Sequence, residues 1–401
     1  MAWRVNQEDF LKDIVWLDNL KFRVGFGTTG NSSVDPYATK GDITGVYLPF
    51  NGMSNQIGYV TNEPYYIKDG KPMANEELGW EKTTQVNFGL DFGVLNNRIS
   101  ASIDAYFSRT NDLLMRTNIP TLTGYPNTYA NIGKTKNHGV EIALNAVPVQ
   151  TRSGFIWETS LNAAYQKDEI VELAYGKNDM VSNSWFIGES IGVYYGYQND
   201  GLWQDTPEDH AEMEKWNANG YHFTPGNVKP KDQDGDYKMG DNDRVVLGNK
   251  NPRWTMGWTN NFSWKGIELG ITLNGRMGYM VDGKEEALTA HTNQREVDYW
   301  TPDNPNAEFQ KPILAQATSG SLDDFSGTLG YRNAAFLKIR NISLGYNFPK
   351  NKITKLGISH LKVYGQAVNP GSLYQSIEGY DLDTGSTNFN RSFVFGLELG
   401  F

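Results

Sequence analysis

The sequence contains no cysteine, which removes disulfides, thiolate metal sites and cysteine nucleophiles together and leaves the redox compartment open. It also lacks any run of about 18 apolar residues, so no segment reads as a membrane-spanning helix. Basic residues are outnumbered, 36 Lys plus Arg against 46 Asp plus Glu, for a formal charge of −10. A general nucleic-acid binder needs clustered cations to neutralise phosphates, and this balance argues against one. HExxH and P-loop motifs are missing, and the strings GFGTTG at 25–30 and GESIG at 188–192 open no helical pattern, so neither a GxGxxG-plus-helix unit nor a GxSxG elbow is read. His138, His210, His222, His291 and His360 are scattered, without the spacing of a metal centre. Adjacent carboxylates occur at Glu76-Glu77, Glu285-Glu286 and Asp323-Asp324. Neighbours on a strand point opposite ways, so these read as solvated loop positions and not as acid/base pairs. No enzyme is expected. Met1, Ala2 and Trp3 open the chain without a charged and then apolar leader, so no export signal is read.

What is abundant is aromatic and turn-forming: 11 Trp, 22 Tyr and 19 Phe, with 42 Gly and 16 Pro. The dominant pattern is period two, with one face of each segment apolar and the other small or polar. Val86, Phe88, Leu90, Phe92 and Val94 alternate with Asn87, Gly89, Asp91 and Gly93. Comparable stripes start at Phe22, Ile99, Val140, Phe155, Trp254, Ile267, Ile342 and Leu361. The last, Phe393, Phe395, Leu397, Leu399 and Phe401, runs to the end of the sequence. Ten antiparallel strands are predicted.

Short joins alternate with long ones. Asn96-Asn97, about 150–154, Lys265-Gly266 and about 349–357 are short, whereas about 29–80, 109–130, 168–252, 279–334 and 369–389 are long and polar. Structureless loops of that length are uncommon in compact domains. A membrane β-barrel expects tight turns at one end and long loops at the other, and hides its apolar residues in alternation. The competing architecture is a secreted β-sandwich, carbohydrate-binding or adhesive, that buries the same stripes between two layers.

Several segments resemble the C-terminal part of SusC/RagA-type TonB-dependent outer-membrane transporters. They are DLLMRTNIPTLTGYPNTYANIGKTKNHGVEIAL, ESIGVYYGYQNDGLWQ, KDQDGDYKMGDNDRVVLGNKNPRWTMGWTNNFSWKGIELGITLNG, YWTPDNPNA, YRNAAFLKIRNISLGYNFP and the terminal aromatic strand. The resemblance runs over nearly all of residues 1–401 and implies an all-β fold: about ten strands from a larger transmembrane barrel with long extracellular loops. It further implies the outer membrane of a Bacteroidetes-type bacterium, lipid around the wall, and import of an oligosaccharide or peptide. The implied partners are a SusD-like surface lipoprotein and the TonB complex, the latter contacted through a plug that this chain is not expected to contain. The expectation is therefore a fragment or processed piece whose open edges pair with strands supplied elsewhere.

Two candidate sites follow. Asp232, Asp234, Asp236 and Asp243 hold positions one, three, five and twelve of DQDGDYKMGDND, the spacing of an EF-hand-like loop, and predict a structural calcium ion. Tyr237 where Gly is usual, and Asp243 in place of Glu, keep a plain acidic turn open as the other reading. Trp185, Tyr194, Tyr195, Trp203 and Trp300 lie in long loops, where flat rings could stack on sugars as substrate-binding residues. Strand-end aromatics such as Trp254, Trp264 and Tyr346 are assigned to an interfacial girdle. In TPEDHAEMEKW, Thr206 is the expected N-cap of a short loop helix, with Pro207 in its first turn.

Overall fold

The computed structural model describes residues 1–32, 39, 43–50, 53–61, 72–120, 122, 125–283, 298–312, 325–378, 380–385 and 390–401. Among them run the strands β1 (Ala2–Arg4), β2 (Leu17–Asn31), β3 (Ile43–Phe50), β4 (Met53–Thr61), β5 (Glu81–Val94), β6 (Ile99–Asn118), β7 (Asn127–Gln150) and β8 (Ile156–Glu172). There follow β9 (Val193–Tyr197), β10 (Asn199–Leu202), helix α1 (Pro207–Ala218), β11 (Val228–Pro230), β12 (Arg244–Asn249), β13 (Trp254–Trp264) and β14 (Ile267–Asp282). The series ends with β15 (Tyr331–Asn347), helix α2 (Lys350–Ile353), β16 (His360–Gln375) and β17 (Ser392–Gly400).

Eleven strands form one sheet in the order β1-β2-β5-β6-β7-β8-β13-β14-β15-β16-β17. Ten are those the alternation predicts, and β1 adds three residues. The hairpins β3-β4, β9-β12 and β10-β11 lie outside this sheet. The chain divides into two compact units, one comprising Met1–Asn96, Ser102–Glu141 and Gln166–Ile191, the other Asn97–Ala101, Ile142–Tyr165 and Gly192–Phe401.

In the first unit β2 pairs with β5 from Leu17↔Val94 to Asn31↔Glu81. The register sets Phe22 opposite Leu90, Val24 opposite Phe88 and Phe26 opposite Val86, so the apolar stripe is continuous across the pair. Phe22, Val24, Phe26 and Phe88 are exposed.

The second unit repeats this arrangement. β13 lies between β8 and β14, with Trp258 opposite both Leu161 and Leu273. Leu269, Leu344, Gly365 and Phe395 follow one another across β14, β15, β16 and β17. Trp258, Leu344, Val363, Phe393, Leu397 and Leu399 are exposed, and Phe395 is 85% so. A sandwich would have covered these side chains with a second layer. The apolar face instead lies open, over far more area than the few hundred Å² usual for a monomer in water.

The short joins form where expected. Lys265 and Gly266, with φ of 48° and 89°, make a two-residue hairpin between Trp264 and Ile267. A Cβ at Gly266 would meet Asn347 O at 2.6 Å, on top of the positive φ. Gly266→Ala is therefore expected to destabilise the β13-β14 hairpin by about 1–2 kcal/mol. The midpoint of urea unfolding in detergent should fall accordingly, and an unchanged midpoint would contradict the turn geometry.

Candidate functional site

The face opposite the apolar stripes is polar and charged. In the first unit Arg23, which lies between the outward residues Phe22 and Val24, turns to this other face. Its Nε and Nη2 donate to Asp91 at 2.9 and 2.8 Å, and Nη2 also reaches Asp104 at 2.7 Å and Ser102 at 2.9 Å. Gly89 leaves the space: a Cβ there would lie 2.6 Å from the Arg23 guanidinium carbon and 2.7 Å from an Asp104 oxygen. One cation against two carboxylates, with Lys21 3.4 Å from Asp91, makes a nearly neutral network on a surface that faces no apolar core.

In the second unit the same face carries Glu268, bridged to Asn347 and Lys362 at 2.7 and 2.8 Å. Further along, Lys338 is 1% exposed and donates to Asp381 at 2.7 Å. A buried ammonium needs such a partner, since desolvation of a lone charge costs several kcal/mol. Burial raises the Asp381 carboxyl, but Lys338 and the Asp383 N–H outweigh it and hold the group below its ordinary value. Residues after β16 thereby lie against β14 and β15, where Ile377 and Leu382 join Tyr279, Ala334 and Phe336 in one buried cluster.

The join between β8 and β13 builds a core of its own. Trp203, Met213, Trp216, Phe223 and Val228 are buried together with Phe325, and Tyr197, Tyr221, Tyr237 and Met239 pack around them. The expected helix forms as α1. Thr206 Oγ1 accepts from Asp209 N at 3.3 Å, Pro207 begins the first turn, and Asp209 in return accepts from Gln204 N at 2.6 Å. Lys229 is half-buried above the Trp203 ring, 4.3 Å from its centroid. Burial lowers its pKa, but the ion pairs with Glu212 and Asp209 prevail and raise it.

This core corrects part of the sugar-stacking set. Trp203 is 0% exposed, with Phe223 tilted at 5.6 Å and Lys229 over its ring, so no sugar can reach it. Trp300 is 7% exposed and donates to Gln204 Oε1 at 3.1 Å, a fixed structural position. Tyr194 and Tyr195 are half-buried on β9; the Tyr194 ring lies 5.2 Å from Tyr331 and 5.0 Å from Lys250 Nζ. Trp185 belongs to the first unit, half-buried in a turn bridged to Met180. Of the four in the second unit, Trp203 and Trp300 are buried and Tyr194 and Tyr195 half-buried.

The acidic loop is brought together only in part. Asp232, Asp234 and Asp236 each place one oxygen within 4.8 Å of the others. Asp243 is buried against the loop backbone, accepting from Gln233 N at 2.8 Å and Gly240 N at 2.7 Å, and is not among the converging oxygens. Asp232 also accepts from Gly235 N and Tyr237 N, bonds that orient the turn and leave lone pairs over.

The scattered histidines stay apart: His210 meets Asp205 at 2.7 Å, His360 lies 3.6 Å from Glu398, and His138 stacks on Phe107. His291, Glu285-Glu286 and Asp323-Asp324 lie outside the described residues. The charged groups on the polar face were not singled out from sequence. The parity of Arg23, Asp91 and Asp104 against the apolar stripes was the signal available.

Comparison with known proteins follows the same lines. A family model described as TonB dependent receptor-like, beta-barrel matches residues 3–369. TonB-dependent receptor P3 of Formosa agariphila is 27% identical over 435 residues, covering 100% of this chain and 41% of that protein. TonB-dependent receptor SusC of Bacteroides thetaiotaomicron is 28% identical over 421 residues, covering 100% of this chain and 39% of its own length. The chain thus spans about two fifths of these relatives. A solved structure of the RagAB peptide transporter superposes with a TM-score of 0.72 at 24% identity, over 100% of this chain and 43% of that one, a likeness of fold.

Proposed function

Because the chain belongs to the TonB-dependent receptor-like β-barrel family, we propose that it forms part of the wall of an outer-membrane importer. The fold is the all-β sheet of such a barrel. The observation that carries the functional reading is the two-faced sheet: uncovered Phe, Trp, Leu and Val on one side, and ion pairs and amides on the other. Acyl chains suit the first face and a wet lumen the second.

The absence of cysteine makes a direct test clean. Single cysteines at 341–346, spin-labelled in lipid, should show oxygen accessibility peaking at 342, 344 and 346 and a water-borne relaxant peaking at 341, 343 and 345. Accessibility without that alternation would remove the barrel-wall assignment.

The cargo proposed is an oligosaccharide, for which Asn, Asp and Lys groups on the polar face supply hydroxyl partners. A peptide is the second choice. Energy would come from TonB through a plug, and a SusD-like lipoprotein would cover the long loops. Disrupting the gene should abolish uptake of a labelled oligosaccharide while sparing the monosaccharide. Unchanged oligosaccharide uptake would reject that cargo.

Calcium is proposed as a structural ion for Asp232, Asp234 and Asp236 alone, because these three oxygens converge. Millimolar calcium should slow proteolysis within 231–244 relative to a chelator. Identical cleavage in the two conditions would dismiss the ion.

A further inference from the structure

We propose that the polar face of β14 and β15 carries a carboxylate-binding subsite that the chain's own Asp383 fills. The proposal rests on the reading that this face lines the import path. Asp383 Oδ2 lies 2.6 Å from Arg340 Nη1 and 3.6 Å from Lys338 Nζ. Its Oδ1 accepts from Asn274 Nδ2 at 3.2 Å and lies 3.6 Å from Arg276 Nη2. A single carboxylate is thus surrounded by three cations and an amide.

Asn274 and Arg276 are placed by the sheet and not by the segment that brings Asp383. Asn274 faces Lys338 across the β14-β15 ladder and Arg276 faces Phe336, so backbone pairing sets their spacing. Lys338 is held by its own carboxylate, Asp381, at 2.7 Å, two residues before Asp383 on the same segment. Asp383 can leave while that anchor stays.

Charge and exposure point the same way. Among the described residues, Arg276, Lys338 and Arg340 pair with Asp381 and Asp383, which leaves one positive charge over. The side chains of Arg276 and Arg340 are 42% and 45% exposed, whereas that of Asp383 is 8% exposed. The guanidiniums therefore reach open space beside the carboxylate they hold. A planar carboxylate on a cargo, from a uronic acid or a peptide C-terminus, presents the same two oxygens to the same forks. It would take the donors as Asp383 turns out. Neutral cargo has nothing to exchange, and the tethered aspartate, present at an effective concentration of about millimolar, keeps the subsite closed to weak anions.

The test uses the chain in detergent micelles, with glucuronate and an N-acetylated dipeptide as probes and glucose and the dipeptide amide as neutral controls. Asp383→Asn, which removes the internal competitor at constant size, should tighten both carboxylate probes by about tenfold or more. The neutral controls should not change. Adding Arg276→Gln and Arg340→Gln should cancel the gain. If only one probe tightens, the carboxylate source is named; if both do, the site reads the carboxylate alone.

Hydrogen exchange on the unmutated chain gives a second readout should Asp383→Asn not fold. Saturating glucuronate should speed exchange across 380–385, and glucose should not. No tightening in a folded variant, equal tightening of the neutral controls, or exchange unmoved by glucuronate would each overturn the proposal. The spin-label pattern at 341–346 separates the two readings: alternation without carboxylate binding rejects only the subsite, whereas lost alternation rejects the wall itself.

Discussion

Leu344→Arg is expected to prevent the chain from assembling in a lipid bilayer, while Ser343→Arg, one residue away, is expected to be tolerated. Leu344 is exposed on the apolar face and lies in line with Leu269 and Gly365. Counted from the short-join end at Asn347, it falls within the roughly 9–11 residues that cross the hydrocarbon. An arginine facing lipid near the middle of a barrel strand costs about 2–4 kcal/mol, or roughly 30- to 1000-fold in the folding equilibrium. Ser343 faces the polar side, where an extra guanidinium stays hydrated. Folding into vesicles of defined chain length, followed by unfolding in urea, would measure both. Equal penalties for the two variants would mean that the faces are assigned wrongly.

The second large effect is confined to a loop. Trp216→Ala should remove the centre of the α1 subdomain, because its ring meets Tyr221 at 5.3 Å, Phe223 at 5.7 Å and Tyr237 at 6.0 Å, all edge-on. It is 1% exposed, and deleting a buried tryptophan side chain costs about 3–5 kcal/mol. A subdomain of this size has little stability beyond that. Limited proteolysis should then cut within 199–243, while strand content by circular dichroism and the spin-label pattern at 341–346 remain. Resistance of that segment to protease would show that the cluster is not its core. Loss of the sheet as well would show that sheet and subdomain fold as one.

Most of the fold was legible because its signals are local. Period-two stripes and the Asn96-Asn97 and Lys265-Gly266 joins marked strands and register. β7 is longer than expected and extends into the stretch read as the 109–130 loop. Residues Asn127 to Lys136, NTYANIGKTK, carry polar residues on both faces, which leaves no alternation to detect.

The site was less legible for two reasons. Trp203 and Trp300 were read as surface rings because their loops are hydrophilic, yet a join this long buries aromatics of its own. Lys338 shares the even numbering of Ile342 and Leu344 and would by parity face lipid. A register shift between Ile339 and Asn341 turns it to the other face. Its partner Asp381 is 43 residues distant, beyond any local rule.

The length of β15 has a consequence for the import role proposed above. Its 17 residues extend for about 55 Å at roughly 3.3 Å each. Tilted by about 45°, that is a rise of roughly 40 Å, against a greasy belt of about 25 Å. The surplus gives the wall a freeboard of some 15 Å above the lipid, and Lys338 and Arg340 lie near that waterline. In the import role proposed above, a solute arriving from outside would meet these cations near the height of the head groups, before it descends past most of the acyl chains.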